Sequence, residues 1–172
     1  MKLATCSLML IMVLGGFARA QTGDIPDPLG GFKPYLIGIS VPNAEEAAMW
    51  YEHNLGFKRE GRDTSPSGTT MIVEVRPGIA IELLQPEGSF SIRRFTPDYD
   101  PASGQLQGIS KIAFAVDDLE AALADLTRKH VRVIRGITEL KSFDVKFCLI
   151  ADNNGNVIQL FQARRSLKSN VH

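Results

Sequence analysis

The chain has 172 residues with 19 basic and 19 acidic side chains, so no net charge draws it to nucleic acid or an acidic membrane surface. A hydrophobic content of 44% is enough for a packed core and excludes a disordered, highly charged chain. This length suits one ordinary domain or two small fused modules sharing a core.

Residues 1–20 read as a secretory signal peptide. Lys2 gives the positive end, and Leu8 to Leu14 form an apolar run too short to span a bilayer. Ala18-Arg19-Ala20 is a small-x-small cleavage site that leaves Gln21 as the mature start. An uncleaved membrane anchor is the alternative, but no longer apolar run or second span follows. Losing Lys2 and Arg19 leaves 17 basic against 19 acidic residues, a formal charge of −2. The expected destination is the periplasm or the exterior. Of two cysteines only Cys148 remains, so no intrachain disulfide forms and the fold rests on its hydrophobic core. In the run Phe147-Cys148-Leu149-Ile150, that thiol reads as a buried strand residue rather than a nucleophile.

Residues 21–33 carry Pro26, Pro28, Gly23, Gly30 and Gly31 and are expected to form a flexible arm. A first module covers 34–86. Ile37, Ile39 and Val41 alternate with Gly38 and Ser40, as in a strand with two unlike faces. Asn43 with Glu46 three residues on resembles a capping box opening a helix over 44–53, which Gly56 ends. Residues 69–75 and 79–85 read as strands joined by the turn Arg76-Pro77-Gly78. The segment 87–108 is rich in Pro, Gly, Ser and Asp and is either a lid or a flexible linker. Its Phe90, Arg93, Arg94, Phe95 and Tyr99 favour a lid.

A second module covers 109–163, followed by a polar tail over 164–172. Asp117 or Asp118 caps a helix over 119–129. Strands are expected at 131–134, 145–151 and 156–162, with Asp152-Asn153-Asn154-Gly155 as a hairpin turn and Glu139 and Lys141 in a loop. Trp50 and Tyr51 sit mid-helix as core residues.

The two modules repeat each other. Ile37-Gly38-Ile39-Ser40-Val41 returns 75 residues later as Ile112-Ala113-Phe114-Ala115-Val116. Ala80-Ile81-Glu82-Leu83-Leu84 has its counterpart in Val157-Ile158-Gln159-Leu160-Phe161. Each half needs its twin to bury its apolar face, and a ligand belongs on the concave surface that both build. The fold class is α+β, with two tandem βαβββ modules forming a cupped mixed sheet around a central cavity.

These features resemble the vicinal oxygen chelate superfamily, the glyoxalase, bleomycin-resistance and dioxygenase group. The carrying residues are the strand 37–41 with Trp50-Tyr51 and Leu55-Gly56-Phe57, and the stretch Asp152-Asn153-Asn154-Gly155-Asn156-Val157-Ile158-Gln159-Leu160. The resemblance implies one metal ligand on the first and last strand of each module, which falls on Leu36, Glu82, Lys111 and Gln159. Leucine donates nothing, lysine repels a cation and glutamine is a weak partner, so only Glu82 suits a divalent ion. His53, His130 and His172 stand at helix ends or the terminus and add no donor there. Neither metal nor other cofactor is therefore expected.

Strand alternation from Glu82 puts Ala80 and Leu84 in the cup and turns Ile81 and Leu83 to the helix. The same rule places Leu36, Gly38, Ser40, Lys111, Ala113 and Ala115 in the cup, with Val157, Gln159 and Phe161. Thr70, Ile72 and Glu74 are expected to share it, making Glu74 a second acid candidate, while Tyr35 lines the mouth. Glu82 and Lys111 then serve as acid/base and anion stabiliser, or pair as a salt bridge in place of a lost metal. Leu36, Ser40, Gln159 and Phe161 are candidate substrate contacts, and Arg93 and Arg94 a carboxylate clamp. Three readings follow: a metal-independent isomerase or lyase acting beside a carbonyl, a small-molecule binding protein, and a metal enzyme with ligands shifted to Glu74, Glu82 and Gln159. The expected partners are a small-molecule ligand and a second copy in a homodimer, with no nucleic acid and no membrane after signal cleavage. N-terminal sequencing of exported protein should begin at Gln21; Met1 on a cytoplasmic protein refutes the signal.

Overall fold

The computed structural model describes residues 35–163; the expected signal peptide, the expected arm and the polar tail lie outside the described residues. In chain order come β1 (Leu36–Ser40), α1 (Ala44–Leu55), β2 (Lys58–Thr64), β3 (Thr70–Arg76) and β4 (Ile79–Gln85), then β5 (Ile112–Ala115), α2 (Leu119–Arg128), β6 (Val133–Leu140), β7 (Val145–Ala151) and β8 (Val157–Ala163). They form two four-stranded mixed sheets, ordered β1-β4-β3-β2 and β5-β8-β7-β6. In each, the first strand runs parallel to the last and the other pairs are antiparallel. This is the tandem βαβββ architecture.

Helix α1 buries Ala44, Ala47, Ala48, Tyr51 and Leu55, one stripe at helical spacing. The Asn43 side chain accepts the amides of Glu45 and Glu46, while its own amide donates to Glu46. At the other end Gly56 adopts φ +68°, where a side chain would be strained, and its N–H returns to the Glu52 carbonyl. In the second helix it is Asp118, accepting from Ala121, that caps. A second cap repeats in both modules. The Gln85 side chain accepts the Ala44 amide at 2.9 Å, and Gln162 accepts the Leu119 amide at 3.1 Å. The last strand of each module thus pins the start of its helix.

β2 was not expected: Lys-Arg-Glu-Gly-Arg-Asp-Thr is exposed along its whole length and has no apolar period to reveal a strand. β6 extends beyond the expected 131–134, so Glu139 lies on a strand and Lys141 in the short 3-10 turn Lys141–Phe143, not in one open loop. The segment 87–108 carries two more 3-10 turns, Ile92–Arg94 and Pro101–Ser103. No helix among the described residues is long and apolar enough to cross a membrane.

One core serves both modules: Ile39, Tyr51, Ile81 and Leu83 from the first share a buried cluster with Leu119, Cys148, Ile150 and Ile158 from the second. Burial pushes the Cys148 thiol up, in keeping with an unreactive core side chain. Phe57 meets Phe114 edge-on across the modules, ring centroids 6.0 Å apart. Tyr51 donates its hydroxyl to Asp152 Oδ2 at 3.0 Å, and both side chains are buried. Burial first, then the Asp152 charge, drive the Tyr51 pKa far up, so the phenol stays a donor.

Tyr51→Phe should therefore cost about 1–2 kcal/mol in urea unfolding, the worth of one buried, charge-assisted hydrogen bond. Asp152→Ala should cost more, since it also strands the donors of the β7–β8 turn; an unchanged midpoint for both would refute the bridge.

Candidate functional site

Strand register decides which side chains share the concave face, because residues directly opposite point the same way. Glu82 lies opposite Gly38 on β1 and Val73 on β3. Leu36, Ala80 and Val75 form the row on one side, Ser40, Leu84 and Met71 the row on the other. The cup of the first module is thus Met71, Val73 and Val75, and not Thr70, Ile72 and Glu74 as the sequence suggested. Those three align with Ile81 and Leu83 on the face under α1: Ile72 opposes Leu83, and Glu74 opposes Ile81.

Glu74 is fully buried there, so it is neither an exposed edge carboxylate nor a second acid in the cup. Arg59 Nε stands 3.5 Å from Glu74 and 3.5 Å from Glu52, and its Nη1 2.8 Å from Glu45. Neither Glu74 oxygen has a hydrogen-bond partner. Burial, reinforced by the Glu52 charge and opposed by Arg59, lifts the Glu74 pKa from 4.5 to about 7. This burial also removes Glu74 from any shifted metal set with Glu82 and Gln159.

Glu82 is partly buried in its apolar frame. Its Oε2 stands 3.7 Å from where a Cβ on Gly38 would be, so the carboxylate lies directly beside β1 at this glycine. No hydrogen bond or ion pair reaches Glu82 or Lys111 among the described residues, so they do not form the salt bridge raised as an alternative. Lys111 stands exposed just ahead of β5.

A cavity of about 330 Å³ lies along β1, walled by Gly38 and Ser40, by Arg93, Tyr99 and Leu106 of the segment 87–108, by Lys111, and by Asn154 to Val157. The structure thus brings Ser40, Arg93 and Lys111 together. Arg93 lies over Gly155, where a Cβ would meet Nη2 at 3.6 Å. Arg94 turns away onto the Phe90 ring, 5.8 Å from its centroid, and does not line the cavity. Leu36 and the strongly exposed Tyr35 stand outside it. Gln159 opposes Ala113 and Leu149 on β8, also outside the cavity. Phe161 packs with Phe147, Leu149 and Val157 under Ala102 of the segment 87–108, which so covers the concave face of the second module. Ala113 and Ala115 line a separate cleft, about 700 Å³, with Phe57 and the β3–β4 turn.

The set Leu36, Glu82, Lys111 and Gln159 does not fit a divalent cation, since it offers one carboxylate and one neutral amide beside an ammonium. Among the described residues no group of three His, Cys, Asp or Glu side chains could hold a metal ion. Asn154 and Asn156 also wall the cavity, a place that neither the hairpin signal nor the family likeness of this stretch had indicated.

Residues 34–160 match the profile of the Glyoxalase/Bleomycin resistance protein/Dioxygenase superfamily, and the chain belongs to that family. It is 30% identical over 135 residues to the human mitochondrial methylmalonyl-CoA epimerase, covering 74% of this chain and 72% of that protein. The fold is similar to that of a glyoxalase family protein from Bacillus cereus, with a TM-score of 0.60, 19% identity and coverage of 76% of this chain and 93% of that one. It is also similar to an antibiotic binding protein from Streptomyces sp. CB03234, with a TM-score of 0.58, 20% identity and coverage of 77% and 96%.

Glu74 gives a pH test with a definite sign. A folded pKa of about 7 against 4.5 means its favourable contribution is full below pH 4.5 and lost as pH rises through 7. Between pH 5 and pH 8 the protein should lose roughly 2–3 kcal/mol of unfolding free energy through this group. In Glu74→Gln that slope should flatten, with the variant more stable than the parent at pH 8. An unchanged slope refutes the buried acid.

Proposed function

We propose that the protein is a metal-independent isomerase that moves a proton on the carbon next to a carbonyl of a small molecule. One observation carries this: an unpartnered carboxylate, Glu82, in an apolar frame opposite Gly38 of β1, the strand that walls a cavity holding Lys111. A carboxylate with no partner is free to act as a base. Glu82 takes the proton from carbon, and the electron pair moves onto the carbonyl oxygen. The Lys111 ammonium stabilises that developing oxyanion, a role that an ordered positive charge fills without a metal. Protonated Glu82 then returns the proton, on the face from which it was taken, to a neighbouring atom, which isomerises the carbonyl compound. The sequence likeness to an epimerase supports the isomerase over the lyase form. Export to the periplasm or exterior, resting on Ala18-Arg19-Ala20, is part of the same proposal.

A second reading is a binding protein that sequesters its ligand. What favours it is that Glu82 stands behind the cavity wall rather than in it. Deuterium exchange separates the two. Methylmalonyl-CoA and a panel of 2-oxo acids and hydroxyketones, incubated in D2O with EDTA-treated protein, should show catalysed loss of the hydrogen beside the carbonyl. Glu82→Gln, nearly isosteric, should lower that rate by about 10²–10⁴ while changing binding only a few-fold. Thermal shifts with no exchange for any compound would establish the binder. A stoichiometric divalent ion required for exchange, and lost on Glu82→Ala, would overturn metal independence.

A further inference from the structure

We infer that the cavity is an anion site, in which Arg93 grips a carboxylate or phosphate group of the ligand and ties the segment 87–108 down over it. This deepens the function proposed above by naming the substrate class, a carbonyl compound carrying a fixed negative charge; it shares that reading's pocket but is tested without turnover.

The charge balance of the walls is the first argument. The two ionisable side chains of opposite sign to such a ligand, Arg93 and Lys111, are the only charged residues among the described ones that line the cavity, and no aspartate or glutamate joins them. Neither cation has an ion pair or a side-chain hydrogen bond within the described protein. Two unneutralised cations facing one small space repel each other, and an anion between them removes that cost.

Placement is the second. Lys111 comes from the approach to β5 and Arg93 from the 3-10 turn Ile92–Arg94, so two separate elements bring the cations to one cavity. The Arg93 guanidinium lies beside the β7–β8 turn at Gly155, its Nη2 3.6 Å from where a Cβ there would be. A guanidinium presents a planar fork of donors, which matches carboxylate and phosphate oxygens in pairs. Ser40 and Ser110 add hydroxyls that have no partner among the described residues. The neighbouring Arg94 is different: it rests on Phe90, away from the cavity. A general attraction of anions to basic loops would use both arginines; a built site uses one.

The experiment measures binding of inorganic phosphate and of malonate to the protein by calorimetry, at matched ionic strength with chloride as the control anion. One of the two should bind saturably. Arg93→Gln should weaken it by about tenfold or more and Lys111→Met several-fold, whereas Arg94→Gln should stay within about twofold. Whichever probe binds more tightly identifies the source, a phosphoryl group or a carboxylate. The bound anion should also slow tryptic cleavage after Arg94 in the parent but not in Arg93→Gln. Saturable binding of neither probe overturns the proposal, as does an Arg94→Gln loss equal to that of Arg93→Gln. Glu82→Gln, which removes no cation, should bind the anion at least as well as the parent. Loss of deuterium exchange with anion binding intact, or the reverse, therefore tells failure of the isomerase reading from failure of this one.

Discussion

A carboxylate taken out of water must be matched by donors, and Asp152 receives four. Its Oδ1 accepts the backbone amides of Asn154 and Asn156, closing the β7–β8 turn. Its Oδ2 accepts the Asn156 side chain and, from the other module, the Tyr51 hydroxyl. Two things are fixed at once. The turn that carries Asn154, Gly155 and Asn156 to the cavity has one geometry, and helix α1 has one position relative to the second sheet. Apolar burial supplies most of the stabilisation, because neither four-stranded sheet can cover its helix-side face alone. But oily contact is tolerant of sliding, and a buried ionic hydrogen bond is not. The Tyr51–Asp152 bridge therefore sets the register in which the shared core closes, and with it the width of the cavity between β1 and the turn.

The repeat explains why so much of this was legible. Glu82 and Gln159 occupy equivalent register positions because Gly38 and Ala113 oppose them in the same way. The glutamine caps from Gln85 and Gln162 repeat as well, though nothing in sequence announces that a strand-end side chain reaches a helix amide. Period-two alternation located the strands with one buried face and failed where no face is buried, as in the all-exposed β2. It also failed on β3. Both faces of Thr-Met-Ile-Val-Glu-Val-Arg carry apolar residues, and the acid seemed to belong with the open side. Burial of Glu74 is possible because Arg59 on β2 lies beside it, and β2 was the one strand in the first sheet that the pattern hid. One missed strand thus produced one misplaced carboxylate.

The segment 87–108 was the least legible part, since composition separates lids from linkers poorly. Its role differs along its length. Ala102 packs on the second module's concave face with Phe147, Leu149 and Val157, so that end is anchored by apolar contact. Arg93 lines the cavity beside Gly155 and has no ion pair among the described residues. The exposed Phe90 and Phe95 pack on each other edge-on, 5.3 Å between centroids, and give the turn carrying Arg93 its own small cluster. The end near Ala102 is thus anchored by apolar packing on the second module, and the turn at Arg93 by contacts within the segment itself.

Where the family resemblance implies a metal ligand, Lys111 places a positive charge instead. An ion at that point would act as an electrophile toward a developing oxyanion, and an ammonium held at the same point supplies the same sign of field with one charge rather than two. The weaker field has a consequence for the base. A divalent cation bound to Glu82 would neutralise it, whereas Lys111 stands too far for an ion pair and leaves the carboxylate unpartnered. In the proposed mechanism the lysine takes the electrophile's part and leaves the carboxylate to act as the base. Glu82, the one carboxylate of the set that the resemblance implies, stands partly buried and unpartnered among the described residues, framed by Val73, Ala80 and Leu84 and opposite Gly38.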